Sequence, residues 1–196
     1  MQRFDKVVIS APYNMMTAAQ RRDIAILQER AYGPSGPEQD DDSPALHDQS
    51  LNAQSFIIRD GERVVSYAGV VKKTIVHAGQ VFSVSGLSCV ATDPDFQRCG
   101  LGTRIVAAAT RYMEETDIDF GIFTCAPELA PLYVEAGLWS VVPTVVLIGS
   151  RDAGALTSTS LGVVVLMRLF SERAIAASST LLNGTIDLDL PPGEFW

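Results

Sequence analysis

A chain of 196 residues with 47% hydrophobic content is long enough to bury the core of one domain of ordinary size. Its net charge of −8 argues against a phosphate-backbone binder and favours cationic or neutral ligands, so nucleic acid is excluded as a partner. The cysteines, Cys89, Cys99 and Cys125, are odd in number and lack CxxC or Cys/His metal spacing. They read as reduced, buried thiols in a cytoplasmic protein without a metal site. A basic-then-apolar leader and an apolar run of about 18 residues are both missing, so neither secretion nor membrane spanning is expected.

In chain order, Lys6 to Ser10 reads as a short strand, and Thr17-Ala18-Ala19-Gln20 as a capping box opening a helix with Ile24, Leu27 and Ala31 on one face. Tyr32-Gly33-Pro34 ends it. Residues 33 to 54 carry three prolines and the run Glu38-Gln39-Asp40-Asp41-Asp42, a loop either functional or disordered. Asp60-Gly61 is a hairpin turn between Phe56 to Arg59 and Val64 to Lys73, and His77-Ala78-Gly79 is a second turn into the strand Val81 to Thr92. Leu101 to Glu115 is a helix with Leu101, Ile105, Ala108 and Tyr112 on one face, Phe120 to Thr124 a buried strand, and Glu128 to Ala136 a short helix closed by Gly137. Trp139 to Ile148 and Gly162 to Phe170 look like a closing pair of strands. A single domain over 1–196 is expected, with 171–196 a C-terminal tail.

The most informative segment is Gln97-Arg98-Cys99-Gly100-Leu101-Gly102, between the apolar strand and the amphipathic helix. Two glycines one residue apart let the backbone approach an anion, and the N–H groups at the helix start point at it, aided by the helix dipole. The turn is not a P-loop, since no Lys-Ser or Lys-Thr follows its glycines, and not a dinucleotide fingerprint, since position 105 is Ile.

What remains, Q/R-x-x-G-x-G after a strand with a Val-Ala-x-x-Pro lead-in, resembles motif A of the GNAT superfamily of acetyl-CoA-dependent N-acyltransferases. The resemblance spans residues 5 to 170, and the order β-α-β-β-β-α-β-α-β-β is the GNAT order. It implies an α/β (α+β) fold with a mixed, mostly antiparallel central sheet flanked by helices and splayed at the fourth and fifth strands. It also implies that Gln97 belongs to the motif, that the backbone N–H groups of Arg98, Cys99, Gly100, Gly102 and Thr103 hold the pyrophosphate of acetyl-CoA, and that Val90 and Thr92 pair with the pantetheine amides. Tyr133, in Pro131-Leu132-Tyr133-Val134-Glu135-Ala136-Gly137-Leu138-Trp139, is similar to the tyrosine of the superfamily's later motif, which protonates the departing thiolate. A phenol of pKa about 10 suits a thiolate of pKa about 8.5. The alternative for Tyr133 is a packing tyrosine with an exposed hydroxyl.

Within the superfamily, the ending Pro191-Pro192-Gly193-Glu194-Phe195-Trp196 resembles the aminoglycoside 2′-N-acetyltransferases, whose tail folds into the substrate site. That resemblance implies Glu194 and Trp196, with its carboxylate, as substrate-binding residues. Tyr32-Gly33-Pro34-Ser35-Gly36 resembles, more weakly, the nodulation N-acyltransferases. Both relatives acylate an amino sugar. The acid common on the fourth strand is replaced by Ser88, a further substrate-site candidate, so a base comes from Asp40, Asp41 or Asp42, from the C-terminus, or from solvent. Fewer carboxylates, and Thr157-Ser158-Thr159-Ser160 where an acidic stretch is usual, imply an acceptor with fewer ammonium groups, of the kasugamycin kind. The partners expected are this small amine and a second copy of the chain.

Overall fold

The computed structural model describes residues 7–33, 46–151, 154–190 and 195–196. Nine strands and five helices alternate in it. β1 is Val8–Pro12, α1 Ala18–Tyr32, β2 Gln54–Asp60, β3 Arg63–His77, β4 Gln80–Thr92, α2 Leu101–Glu114 and β5 Phe120–Cys125. There follow α3 Ala130–Gly137, β6 Ser140–Val141, β7 Val145–Ile148, β8 Val164–Leu169, α4 Glu172–Ala176, α5 Ser178–Leu181 and β9 Gly184–Asp187. The main sheet has the order β1-β2-β3-β4-β5-β8-β6, mostly antiparallel, and β7 and β9 form a separate parallel pair. The chain divides into two compact units, Met1–Val71 with Ser88–Ala109 and Lys72–Leu87 with Thr110–Trp196.

In the first unit the hairpin at Asp60-Gly61 sets β2 against β3 from Gln54↔Val70 to Asp60↔Arg63, with a bulge at Ile58/Arg59. Val64 to Val71 are all buried, the signature of a strand covered on both faces. Helix α1 starts where the capping box demands: the Thr17 side chain receives the Gln20 N–H while the Gln20 side chain receives that of Thr17. Its Ile24 and Leu27 are buried, and it ends on Gly33. The first strand is Val8–Pro12 rather than Lys6 to Ser10; Lys6 lies outside the described residues.

In the second unit β4 and β5 run parallel for two rungs, Val84↔Phe120 and Ser85↔Gly121, although both strands continue beyond. β5 then pairs antiparallel with β8 along its whole length, from Phe120↔Leu169 to Cys125↔Val164. The expected closing pair of strands holds only in its first part. Pro143, which has no N–H for a ladder, sits in a turn that splits Trp139 to Ile148 into β6, paired with β8, and β7, paired with β9. The tail is accordingly ordered secondary structure as far as Asp187, with Ser171 capping α4 by accepting the Ala174 N–H.

Three further expectations need correction. The buried positions of α2 are Leu101, Ile105, Val106, Ala109, Thr110 and Met113, whereas Ala108 and Tyr112 are half-buried. Tyr112 takes the flank because its hydroxyl receives a hydrogen bond from Lys72 Nζ (3.0 Å). Helix α3 runs through Gly137, and its left-handed residue is Leu138 (φ 55°). Of the cysteines only Cys125 is buried; Cys89 is half-buried and Cys99 exposed.

Candidate active site

The turn after β4 is anchored by a buried carboxylate. Asp93 is fully buried, its N–H reaches Val65 O (3.0 Å), and its side chain caps the 3-10 turn Pro94–Phe96 through the Asp95 N–H (3.0 Å). Burial alone would raise its pKa, but hydrogen bonds from the Arg30 guanidinium, the Asp95 N–H and Arg63 outweigh burial and hold it below the ordinary value. From this anchor the backbone turns through two left-handed residues, Arg98 (φ 58°) and Gly100 (φ 78°), and enters α2. The first helical bond runs from Arg104 N to Gly100 O (3.1 Å), so the N–H groups of Leu101, Gly102 and Thr103 precede the helical ladder. Gln97 to Gly100 are exposed, and a Cβ at Gly100 would meet nothing within 4 Å, so it is the positive φ that calls for glycine there. The result is an exposed backbone turn at a helix N-terminus, which suits a phosphate.

Just upstream, Cys89 adopts φ 54° within β4, re-aiming its neighbours as a bulge does. The carbonyl of Cys89 accepts from Gln28 Nε2 (2.8 Å) and that of Val90 from the Tyr32 hydroxyl. Both donors come from α1. Thr92 has its hydroxyl 3.0 Å from Ser66 Oγ, and its carbonyl accepts from Gln97 Nε2 (3.4 Å). Ser88 is half-buried with Oγ 3.4 Å from Cys89 Sγ. The first unit thus brings together all eight of the expected donor-site residues.

The second unit holds Tyr133 and Trp196. Tyr133 is buried on α3 and packs edge-on against Phe123 (centroids 4.9 Å), which in turn packs edge-on against Trp139 (4.7 Å). Trp139 Nε1 donates to Thr110 Oγ1 (3.0 Å), so the row of rings is pinned at its far end. Trp196 is buried as well. Its carbonyl accepts from Thr124 Oγ1 (2.9 Å), and its indole lies against Gly86, next to the last β4–β5 rung. Among the described residues neither the Trp196 Nε1 nor the Ser85 hydroxyl has a hydrogen-bond partner. Asp40, Asp41 and Glu194 lie outside the described residues.

Compared with known families, residues 13–142 match the acetyltransferase (GNAT) domain. The chain belongs to the GNAT acetyltransferase family. No curated protein matches it. Among solved structures it is similar to the GNAT family N-acetyltransferase YhbS from Escherichia coli, in complex with CoA, at 13% identity and TM-score 0.61, covering 93% of this chain and 89% of that one. It is also similar to an acyl-CoA N-acyltransferase from Pseudomonas aeruginosa (12% identity, TM-score 0.58, 84% and 99% covered). A conserved Enterococcus faecalis protein described as a probable N-acyltransferase aligns at 13% identity and TM-score 0.51 over 64% of this chain, which spans only 31% of that one. At these identities the likenesses speak for the GNAT fold alone.

One further buried group is His47, which no sequence pattern singles out. It follows the acidic loop in sequence, and nothing local marks it, because its partner Tyr67 comes from β3 and is bonded in turn to Ser55 of β2. In addition, no helix among the described residues is long and apolar enough to cross a membrane.

Proposed function

We propose that this GNAT protein is an acetyl-CoA-dependent N-acetyltransferase whose acceptor is the amino group of an amino sugar. The observation that carries the donor half is the turn from Arg98 to Thr103, exposed as far as Gly100, whose two left-handed residues and helix-opening N–H groups fit a pyrophosphate. Val90 and Thr92 follow on β4 as the residues for the pantetheine, with Tyr32 leaving the Val90 carbonyl if that carbonyl is used. Acetyl-CoA supplies the acetyl thioester and needs no metal.

The chain's own part in the reaction is positional and protic. The amine must be uncharged to attack, because an ammonium has no lone pair. Tyr133 Oη gives a proton to the departing sulfur, and the packing of its ring on Phe123 holds that hydroxyl in one place. Trp196, buried beside Gly86, supports the reading that the tail borders the acceptor, as in the aminoglycoside 2′-N-acetyltransferases that the ending resembles. On this reading Ser88 is a substrate-binding residue, the resemblance assigns the same role to Glu194, and acetylation of such an antibiotic would confer resistance.

The test is a CoA-release assay on a panel of 2′-amino aminoglycosides, kasugamycin, simple amino sugars and polyamines. Turnover confined to amino sugars supports the proposal. Turnover confined to polyamines would leave a GNAT acetyltransferase of a different acceptor class, and CoA binding without turnover of any amine would leave a binding module.

A further inference from the structure

Two 3-10 turns of the first unit, Tyr13–Met15 and Gln49–Leu51, flank a cavity of about 270 Å³ lined by Asn14, Arg21, His47, Asp48, Gln49 and Asn52, with Tyr13 and Ala53. His47 is 4% exposed. Its Nε2 lies 2.7 Å from the Tyr67 hydroxyl, which lies 3.0 Å from Ser55 Oγ, and both of those side chains are fully buried. The ring meets Tyr13 edge-on (5.1 Å), and the Tyr13 hydroxyl accepts the Leu46 N–H (3.2 Å). His47 Nδ1 makes no hydrogen bond to a described residue. A buried imidazole with one nitrogen anchored and the other unused, at the wall of a polar cavity, has the form of a binding group.

The position of this seat ties it to the proposed chemistry. Gly69 of β3 leaves room for the imidazole: a Cβ there would stand 2.6 Å from His47 Cε1 and Nε2, and 3.2 Å from the carbonyl oxygen of Ser88. His47 therefore adjoins β4 at Ser88. The Leu46 carbonyl also faces Cys89 Sγ (4.0 Å).

The lining sets the ligand class. Burial pushes His47 down to about 4, so it is uncharged at neutral pH and does not repel an ammonium. Asp48 accepts from Ser50 N (2.7 Å) and Ser50 Oγ (2.5 Å), which lowers its pKa and keeps it anionic. Among the described residues Arg21, 5.9 Å from the Tyr13 ring centroid, is the one cation on the wall, and Tyr13 and Tyr67 are the other titratable groups about His47. One carboxylate set against one guanidinium suits at most one ammonium. The amides of Asn14, Gln49 and Asn52 offer donors and acceptors in pairs, which is what hydroxyl groups need.

We propose that this cavity is the acceptor pocket and takes a hydroxyl-bearing molecule with a single amino group, of amino-sugar size, which rests as an ammonium on Asp48 until it loses a proton to solvent and attacks, with a hydroxyl on His47 Nδ1. The proposal rests on the acetyltransferase reading and narrows it.

The protein has only two histidines, His47 and His77, so a proton–carbon correlation spectrum of the imidazole Cε1–H groups gives two signals. Titration with glucosamine to about 50 mM, above ordinary KM values, should move the His47 signal saturably and leave that of His77 in place. Asp48→Asn keeps a side chain able to cap the turn, and should weaken glucosamine about tenfold while leaving glucose unchanged. A silent His47 signal, an Asp48→Asn variant with the parent's glucosamine affinity, or tighter binding of spermidine than of glucosamine would each overturn the proposal. Saturation at His47 without acetylation of any amine would support the pocket and sink the acetyltransferase reading. Acetylation of glucosamine with His47 silent would do the reverse.

Discussion

The indole of Trp196 lies against Gly86 of β4, so closely that a Cβ at Gly86 would stand 2.1 Å from Cε3 and 2.7 Å from the carbonyl oxygen of Ile122. The ring can move; the backbone of β5 cannot follow cheaply. Gly86→Ala should therefore expel Trp196 and cost about 1–3 kcal/mol of stability, the usual penalty for overpacking. Thermal denaturation and tryptophan quenching check it, with Trp139 as the buried internal reference. Quenching equal to that of the parent would mean that the indole is not seated there.

Removal of 194–196 tests the tail's proposed part in acceptor binding. KM for the acceptor should rise about tenfold or more through loss of the hydrogen bonds the tail is proposed to give it, with acetyl-CoA affinity nearly constant. Unchanged KM for every accepted amine would confine Trp196 to packing.

Gly100→Asp and Gly100→Asn share the cost of a side chain at φ 78°, on the order of 1 kcal/mol, but only the first adds a charge facing the proposed pyrophosphate. Calorimetry should find CoA binding weakened at least tenfold more in the aspartate variant than in the asparagine variant. Equal affinities would remove the phosphate from this turn.

Tyr133→Phe keeps the ring on Phe123 and deletes the hydroxyl. We expect kcat to fall by about 10²- to 10⁴-fold with little change in KM for acetyl-CoA. Unaltered turnover, with chemistry shown to limit the rate, would reduce Tyr133 to a packing residue.

His47 titrates near 4 in the folded chain and near 6.5 unfolded, because burial disfavours its charge. A lowered folded pKa means that the unfolded chain binds more protons between those values. The stability contributed is thus complete above about 6.5 and is lost as pH falls through the folded pKa near 4. The full difference is about 3 kcal/mol. Urea denaturation of the parent and of His47→Gln at pH 7.5, 5.5 and 4 should show that slope in the parent and a flatter one in the variant. Parallel curves would mean that His47 is not buried neutral.

Local chemistry was legible in the sequence. The Thr17–Gln20 capping box, the turns at Gly61 and Gly79, and the glycine pair opening α2 each depend on residues within a few positions of one another, and each stands where the residues place it. The α2 glycines also carried the family, since the path of a backbone around an anion is a local matter. Partners distant in sequence were not legible. β7 shows an apolar run compatible with pairing to any strand, and only the folded chain pairs it with β9. His47 shows one imidazole in a polar stretch, and its seat exists only because Gly69, Tyr67 and Ser55 arrive from two other strands. Side-chain periodicity reports which face of an element is apolar. Which surface covers that face is decided by close packing across the whole chain, and only the tertiary structure holds that information.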